Sequence, residues 1–290
     1  MLDFIVNPIA GGKHGKKTRK TVAIIQKILN EKKIEYTIHF TREKGNGKEI
    51  ASKLITKGST DIIVVGGDGS LHEVVNGLHS FEKINLGLIP CGTGNDFASA
   101  VNIPLDPEKA LDLIIDGKPK YTDFMQLPTV RGINVVGTGI DVDVLKRYEA
   151  LKKKTKFGYT MSLIKTLFNF SYTEFDADID GEKKHYRSFI AAIANGTMFG
   201  GGMKICASAD PADNQLNFVA VSELKGLKIL GALLKLKKGK LLTLKQATMI
   251  PCKDVVISTD KPCTVNVDGE LYENIPFEVK IVSNQLKMYR

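Results

Sequence analysis

Asp61-Ile-Ile-Val-Val-Gly-Gly-Asp-Gly-Ser70 is a β-branched apolar run that ends in glycines. Such a run reads as a short buried strand, and the pattern over Ser70–Leu78 reads as a helix that follows at once. Gly66, Gly67 and Gly69 let the backbone turn sharply and approach a ligand with no side chain in the way. The amides opening the next helix then attract an anion, which is how phosphates are held. A plain strand-to-helix turn that binds nothing would also use glycines. Asp68 separates the two readings, because a carboxylate in a phosphate loop repels phosphate unless a hydrated Mg²⁺ stands between them. Sugar hydroxyls are a second partner for it. Ser70 and Glu73 fit the spacing of a capping box, so Glu73 is expected to cap a helix rather than act as an acid.

Two more loops repeat the logic. Ile89-Pro-Cys-Gly-Thr-Gly-Asn-Asp96 follows a strand over Asn85–Ile89 and precedes a helix from Phe97, with Asp96 either a binding group or a plain N-cap. Asn7-Pro-Ile-Ala-Gly-Gly-Lys13 follows a strand over Leu2–Val6, and Lys13, Lys16 and Lys17 place positive charge beside it. Helices are expected over Lys17–Lys32, Lys48–Lys57 and Pro107–Asp116, and a strand over Glu35–Phe40. Strands alternating with helices predict a parallel sheet covered on both faces, with the loops gathered at its carboxyl edge. No G-x-G-x-x-G follows the first strand and no G-x-x-x-x-G-K-[ST] is present, which disfavours hydride chemistry and a P-loop.

After about Leu127 the pattern changes. Strand-like runs follow one another over Thr173–Ile179, His185–Ala194, Leu216–Val221, Val255–Ser258, Cys263–Val267 and Phe277–Val282, with helices over Gly158–Phe170 and Gly226–Lys237. This predicts a nucleotide-binding α/β domain over 1–127 and an antiparallel β-rich domain over 128–290, with a return of the last strand to the first domain left open.

The chain has 290 residues and a formal net charge of +9, which suits anionic partners such as nucleotide or anionic lipid, or simply a basic surface. Its lysines are spread throughout, so no nucleic-acid partner is expected. The four cysteines form no C-x-x-C pair and read as free thiols. No apolar run approaches a membrane span, so a cytoplasmic protein working from the membrane surface is expected.

Asn7-Pro-Ile-Ala-Gly-Gly12, Gly66-Gly-Asp-Gly-Ser-Leu-His-Glu-Val-Val-Asn-Gly77 and Pro90-Cys-Gly-Thr-Gly-Asn-Asp-Phe97 together resemble the diacylglycerol kinase catalytic-domain family, in its bacterial soluble branch of DgkB, YegS and BmrU type. The resemblance implies a Rossmann-like N-terminal domain with a C-terminal antiparallel β-sandwich, as in NAD kinases and diacylglycerol kinases, with ATP in the cleft between them. It implies an ATP- and Mg²⁺-dependent lipid kinase, most simply converting diacylglycerol to phosphatidic acid at the inner face of the membrane. ATP contacts fall by motif on Asn7, Pro8, Ile9, Ala10, Gly11, Thr41, Gly66, Gly67, Asp68, Gly69, Ser70, Leu71, His72 and Thr93, with Asp96 reaching Mg²⁺ through water. Thr41 equally suits a turn, and His72 a helix surface.

In the second domain Val265-Asn-Val-Asp-Gly-Glu270 resembles the family segment whose acidic residues take the base role. Glu270 is implied as proton acceptor, with Asp268 its partner or rival. Strand alternation would place both on one face, although Gly269 suggests a turn. Asp210-Pro-Ala-Asp-Asn-Gln-Leu216 resembles a loop that holds a structural Mg²⁺, through the Asp213 carboxylate and the carbonyls of Asp210 and Gln215, with Asp123 linked through water. Asn214 stands where glycine is usual, and asparagine tolerates positive φ. The stretch Leu224–Lys240 mixes leucines with lysines, as a membrane-surface helix does, or one packed on the second domain with a lysine rim. An NAD kinase and a non-catalytic nucleotide or lipid sensor remain alternatives. The lipid acceptor and a homodimer are left open.

Overall fold

A computed structural model describes residues 1–12, 15–151, 158, 161–162, 165–166, 172–222, 224, 227–260 and 263–290. Two compact units divide the chain, Met1–Asp123 with Ser283–Arg290, and Phe124–Val282.

The first unit alternates β1 (Leu2–Val6), α1 (Lys16–Glu31), β2 (Tyr36–Phe40), α2 (Asn46–Thr56), β3 (Asp61–Gly66), α3 (Asp68–Gly77), β4 (Asn85–Pro90), α4 (Asp96–Ala100) and α5 (Pro107–Asp116). Its strands pair in parallel in the order β2-β1-β3-β4. Helices cover both faces of such a sheet, so its inner strands are apolar throughout rather than alternating, and Ile62, Ile63, Val64 and Val65 are all fully buried. Phe4, Val6, Ile63, Val65 and Ile89 pack against Ile25 and Leu29 of α1 and Leu111 of α5. Those helical residues recur at the spacing that keeps one face inward. Asp106 caps α5 by accepting the amides of Glu108 and Lys109, both at 3.1 Å, with Pro107 in the first turn.

The chain continues through β5 (Pro119–Gln126), β6 (Arg131–Gly132), β7 (Val135–Gly139), α6 (Ile140–Glu149), β8 (Thr173–Ile179), β9 (Glu182–Ala194), β10 (Leu216–Ser222), α7 (Leu227–Lys237), β11 (Ala247–Cys252), β12 (Asp254–Ser258), β13 (Val265–Val267), β14 (Glu270–Tyr272) and β15 (Phe277–Tyr289). In the second unit the strand order is β14-β13-β7-β9-β8-β12-β15, with β10 joining β9 to β11. Its pairings are antiparallel. Ala191 and Ile193 of β9 face one core with Phe175 and Phe218, while Ile190, Ala192 and Ala194 face another with Ile140, Val144 and Leu236. Both faces of this β-sandwich-like sheet are therefore covered along Phe189–Ala194 of β9 and Phe218–Val221 of β10, which explains why those segments are unbroken apolar runs.

Several elements differ from the sequence expectation. β11 was not foreseen; it carries Pro251, and among the described residues it pairs with β10 alone, an edge position that tolerates the missing donor. β15 runs past Val282 through Asn284, whose φ of 57° marks an irregularity, and its end pairs in parallel with β4 in the first unit. Tyr289 Oη there donates to Asp61 Oδ1 at 2.6 Å. In α7, Ala232 and Leu236 pack on the second unit's core while Leu234 stays exposed and Lys235 donates to Thr243 Oγ1 at 2.8 Å, which fits a packed helix with a lysine rim. Lys13, Lys225 and Gly226 lie outside the described residues, as does most of the helix expected over Gly158–Phe170. Among the described residues no helix is long and apolar enough to cross a membrane.

Candidate active site

The loops that follow β1, β3 and β4 meet backbone to backbone. A Cβ on Gly67 would lie 2.8 Å from Gly92 Cα, and one on Gly11 2.5 Å from the Cys91 carbonyl oxygen. Gly11 also has a φ of 76°, which side chains rarely adopt. Side chains tie the same loops together. Asn7 Nδ2 donates to Ser70 Oγ at 3.3 Å, and Asp68 Oδ1 accepts the Phe97 amide at 3.1 Å. Lys17 donates to the Pro90 carbonyl at 3.3 Å, so one of the expected cations does reach the loops. We expect Gly92→Ala to force these backbones apart and cost about 1–3 kcal/mol. Urea unfolding would measure the cost, and nucleotide affinity should fall with it.

Gly94 leaves a cradle between two carboxylates. The Cβ it lacks would lie 3.0 Å from Asp68 Oδ2 and 3.4 Å from Asp96 Oδ2. Asp96 is buried and is the first residue of α4, while Asn95, at φ 56°, takes the N-cap position that was one of the two readings of Asp96. Both carboxylates thus reach one small position, and a hard divalent ion with oxygen ligands fits such a donor set.

The other residues expected at the nucleotide differ in exposure and bonding. Thr41 continues the ladder, its amide donating to the Val6 carbonyl at 2.9 Å, and the Asn7 carboxamide oxygen accepts the Ile9 amide at 3.1 Å. Ile9 is 75% exposed and Thr93 is also exposed. Leu71 is a fully buried core residue, so it can offer a ligand only its backbone. His72 is buried rather than on a helix surface. The capping box does not form. Gly67 occupies the N-cap of α3, and the Glu73 carboxylate instead accepts the amides of Gly45 and Gly47 at 2.8 and 2.9 Å. Glu73 is thus a cap, as expected, but of the start of α2.

In the second unit Asp268 and Gly269 form a two-residue turn between β13 and β14, with φ of 54° and 96° and Val267 paired to Glu270. Two positive φ values make it a type I′ hairpin, for which Asp-Gly is a favoured pair. Asp268 and Glu270 are therefore not alternate residues of one strand. The Asp268 carboxylate accepts the amides of Ile133, Asn134 and Val135 at 2.8, 2.8 and 3.2 Å. Those bonds commit it to holding the chain ahead of β7.

Asp210, Asp213 and Gln215 sit in an exposed loop of the second unit, and Asp123 is buried in the first. Asn214 has a φ of 60°, so asparagine does take the conformation usual for glycine. The Asp210 carbonyl accepts the Ala212 amide at 2.7 Å, and Asp213 Oδ1 accepts the Gln215 amide at 2.9 Å. Among the described residues no three His, Cys, Asp or Glu side chains converge as a metal cluster.

One group was missed. Asp141, the second residue of α6, is 4% exposed, and burial raises its carboxyl from 3.8 to about 6 against the opposing hydrogen bond from Asn266. The signal was Gly137-Thr-Gly-Ile-Asp141, a further glycine turn at the end of a strand.

Known proteins share this architecture. Residues 2–127 match the model of the diacylglycerol kinase catalytic domain, and residues 134–290 that of the YegS C-terminal domain, described as NAD kinase β-sandwich-like. YtlR of Bacillus subtilis (strain 168), which carries a provisional lipid-kinase name, is 27% identical over 98% of this chain and 98% of its own. A similarly named Staphylococcus epidermidis (strain ATCC 12228 / FDA PCI 1200) protein is 28% identical over 78% of this chain and 75% of its own. A crystal structure from Bacillus anthracis str. Sterne, provisionally named a diacylglycerol kinase, superposes with a TM-score of 0.82 at 22% identity over 99% of this chain and 96% of that one. An NAD kinase from Archaeoglobus fulgidus in complex with ATP gives 0.54 at 12% identity over 100% and 94%. At those identities the structures show the shared fold alone. The two consecutive family matches decide the assignment, and the chain belongs to the diacylglycerol kinase catalytic-domain family, in the branch with a YegS-type C-terminal domain.

Proposed function

We propose that the chain is an ATP- and Mg²⁺-dependent lipid kinase that phosphorylates a membrane-lipid hydroxyl, with diacylglycerol as acceptor. The observation that carries this is the meeting of three glycine loops at the carboxyl edge of a parallel sheet, with Asp68 and Asp96 facing the cradle at Gly94. Phosphoryl transfer asks a protein for positioning and charge neutralisation more than for covalent help. The backbones of residues 7–11, 66–70 and 93 would line the triphosphate, and Asp68 with Asp96 would hold the Mg²⁺. When bound, that ion supplies positive charge against the phosphate oxygens. Glu270 would accept the acceptor hydroxyl's proton as its oxygen bonds the γ-phosphorus and the bond to the β–γ bridging oxygen breaks, releasing ADP. Asp268, tied to three amides, would hold the turn that carries Glu270. The Asp213 loop would bind a second, structural ion through Asp210, Asp213 and Gln215, with Asp123 linked by water. The protein would act from the cytoplasmic face of the membrane.

The test incubates the protein with γ-labelled ATP, Mg²⁺ and dispersed diacylglycerol, phosphatidylglycerol, a sphingoid base, a polyprenol and NAD. Label in phosphatidic acid is the expected result. Label in NAD, or in no acceptor, would overturn the proposal. In the same assay Asp68→Asn should raise the Mg²⁺ concentration needed by about 10–100-fold. Its retained Oδ1 can still accept the Phe97 amide, so circular dichroism should show the fold unchanged.

A further inference from the structure

Asp141 stands at the head of a hydrogen-bonded chain that ends on the acidic turn. Its Oδ2 accepts Asn266 Nδ2 at 2.9 Å, and Asn266 Oδ1 accepts the Gly269 amide at 2.9 Å. Both side chains are 4% exposed, and Asp141 Oδ1 has no hydrogen-bond partner among the described residues. Asp141 borders a cavity lined by Ile140, Val144, Phe189, Met203, Ile229 and Leu233, which offers it nothing polar.

An amide can point either way, and its neighbours decide which. The Gly269 N–H requires an oxygen from Asn266. With the amide reversed, the NH₂ would face that N–H donor to donor. An ionised carboxylate accepts only, so Asp141 at Asn266 Nδ2 selects the orientation that satisfies Gly269. An apolar residue at 141 would leave the buried Asn266 NH₂ unmet and the amide held from the Gly269 side alone. A buried carboxyl on an apolar cavity costs stability, so its presence calls for a role beyond packing.

We propose that Asp141 is a positioning residue for the acidic turn: by fixing the Asn266 amide it holds the Gly269 N–H and so sets the backbone from which Glu270 projects. The turn is then pinned twice, at Asp268 by residues 133–135 and at Gly269 through Asn266. The catalytic consequence rests on Glu270 being the base, and the link itself does not.

The experiment uses the whole protein labelled with ¹⁵N-glycine. The charge that bears on Asp141 is Asp143 on its own helix, while Lys146 of that helix donates to Thr264 Oγ1 at 3.2 Å, and Asp268 and Glu270 flank the Gly269 amide. β9 and α7 present apolar side chains to it. The Gly269 amide resonance should titrate with a midpoint of about 6, and Asp141→Asn should abolish that titration. A Gly269 resonance unmoved between pH 5 and 8, or moving identically in Asp141→Asn, overturns the link. Asp141→Leu should lower kcat roughly 10–100-fold, as small misplacements of catalytic groups do, with KM for ATP unchanged. Asp141→Asn, which still offers an acceptor, should recover part of that loss. Wild-type kcat in Asp141→Leu would overturn the positioning role. Full turnover in Glu270→Gln would instead remove the base assignment, with the Gly269 titration still deciding the link.

Discussion

Asp141→Asn is expected to gain stability over the wild-type protein as the pH is raised, by roughly 2 kcal/mol between pH 4 and pH 8. Burial lifts the carboxyl from 3.8 to about 6. The folded chain thus binds this proton more tightly than the unfolded chain. The associated stability is fully present below 3.8, declines as the pH rises to about 6, and is absent above it. The interval corresponds to about 3 kcal/mol. An asparagine carries no such dependence. Its NH₂ group at the unpartnered Oδ1 position has a cost of its own, about 1–3 kcal/mol, but that cost is the same at both pH values. The measurement is urea unfolding of both proteins at pH 4, 6 and 8. Parallel stability curves would show that Asp141 ionises freely in the folded state. A residue whose ionisation costs the fold stability, and whose apolar replacement lowers turnover, has the profile of a group kept for function.

How far the sequence could be read depends on the range of the interactions. The β3 strand and its glycine turn were legible because their causes are local: β-branched residues, then glycines, then a helix start. The capping box failed because Glu73 finds its partners 26 and 28 residues away, at Gly47 and Gly45. Nothing in Ser-x-x-Glu tells a local cap from a distant one. The Asp268–Gly269 turn has a local signal, the Asp-Gly pair, and strand alternation was the wrong rule to set against it. The Asp141–Asn266 bond joins residues 125 apart, so each looked unremarkable alone. Pro251 speaks against an inner strand, and the topology shows that β11 is an edge.

Glu270→Gln and Asp268→Asn are expected to fail in opposite ways, though the two carboxylates stand two residues apart. Asp268 accepts three backbone amides. An asparagine has one acceptor oxygen and would turn its NH₂ toward amide donors. Its backbone is not the difficulty, since asparagine suits the positive φ of this turn. The loss is of charge-assisted hydrogen bonds, and leaving buried donors unmet costs about 1–3 kcal/mol each. Asp268→Asn should therefore lower the unfolding midpoint and lose turnover along with it. Glu270→Gln keeps the length and shape of the side chain and removes only its basicity. Its stability and ATP affinity should match the wild type, while kcat falls by roughly 10²–10⁴, the usual contribution of a general base. Thermal unfolding, nucleotide titration and the lipid assay on both variants separate the roles. A stable Asp268→Asn protein with normal ATP binding and no turnover would move the base from Glu270 to Asp268.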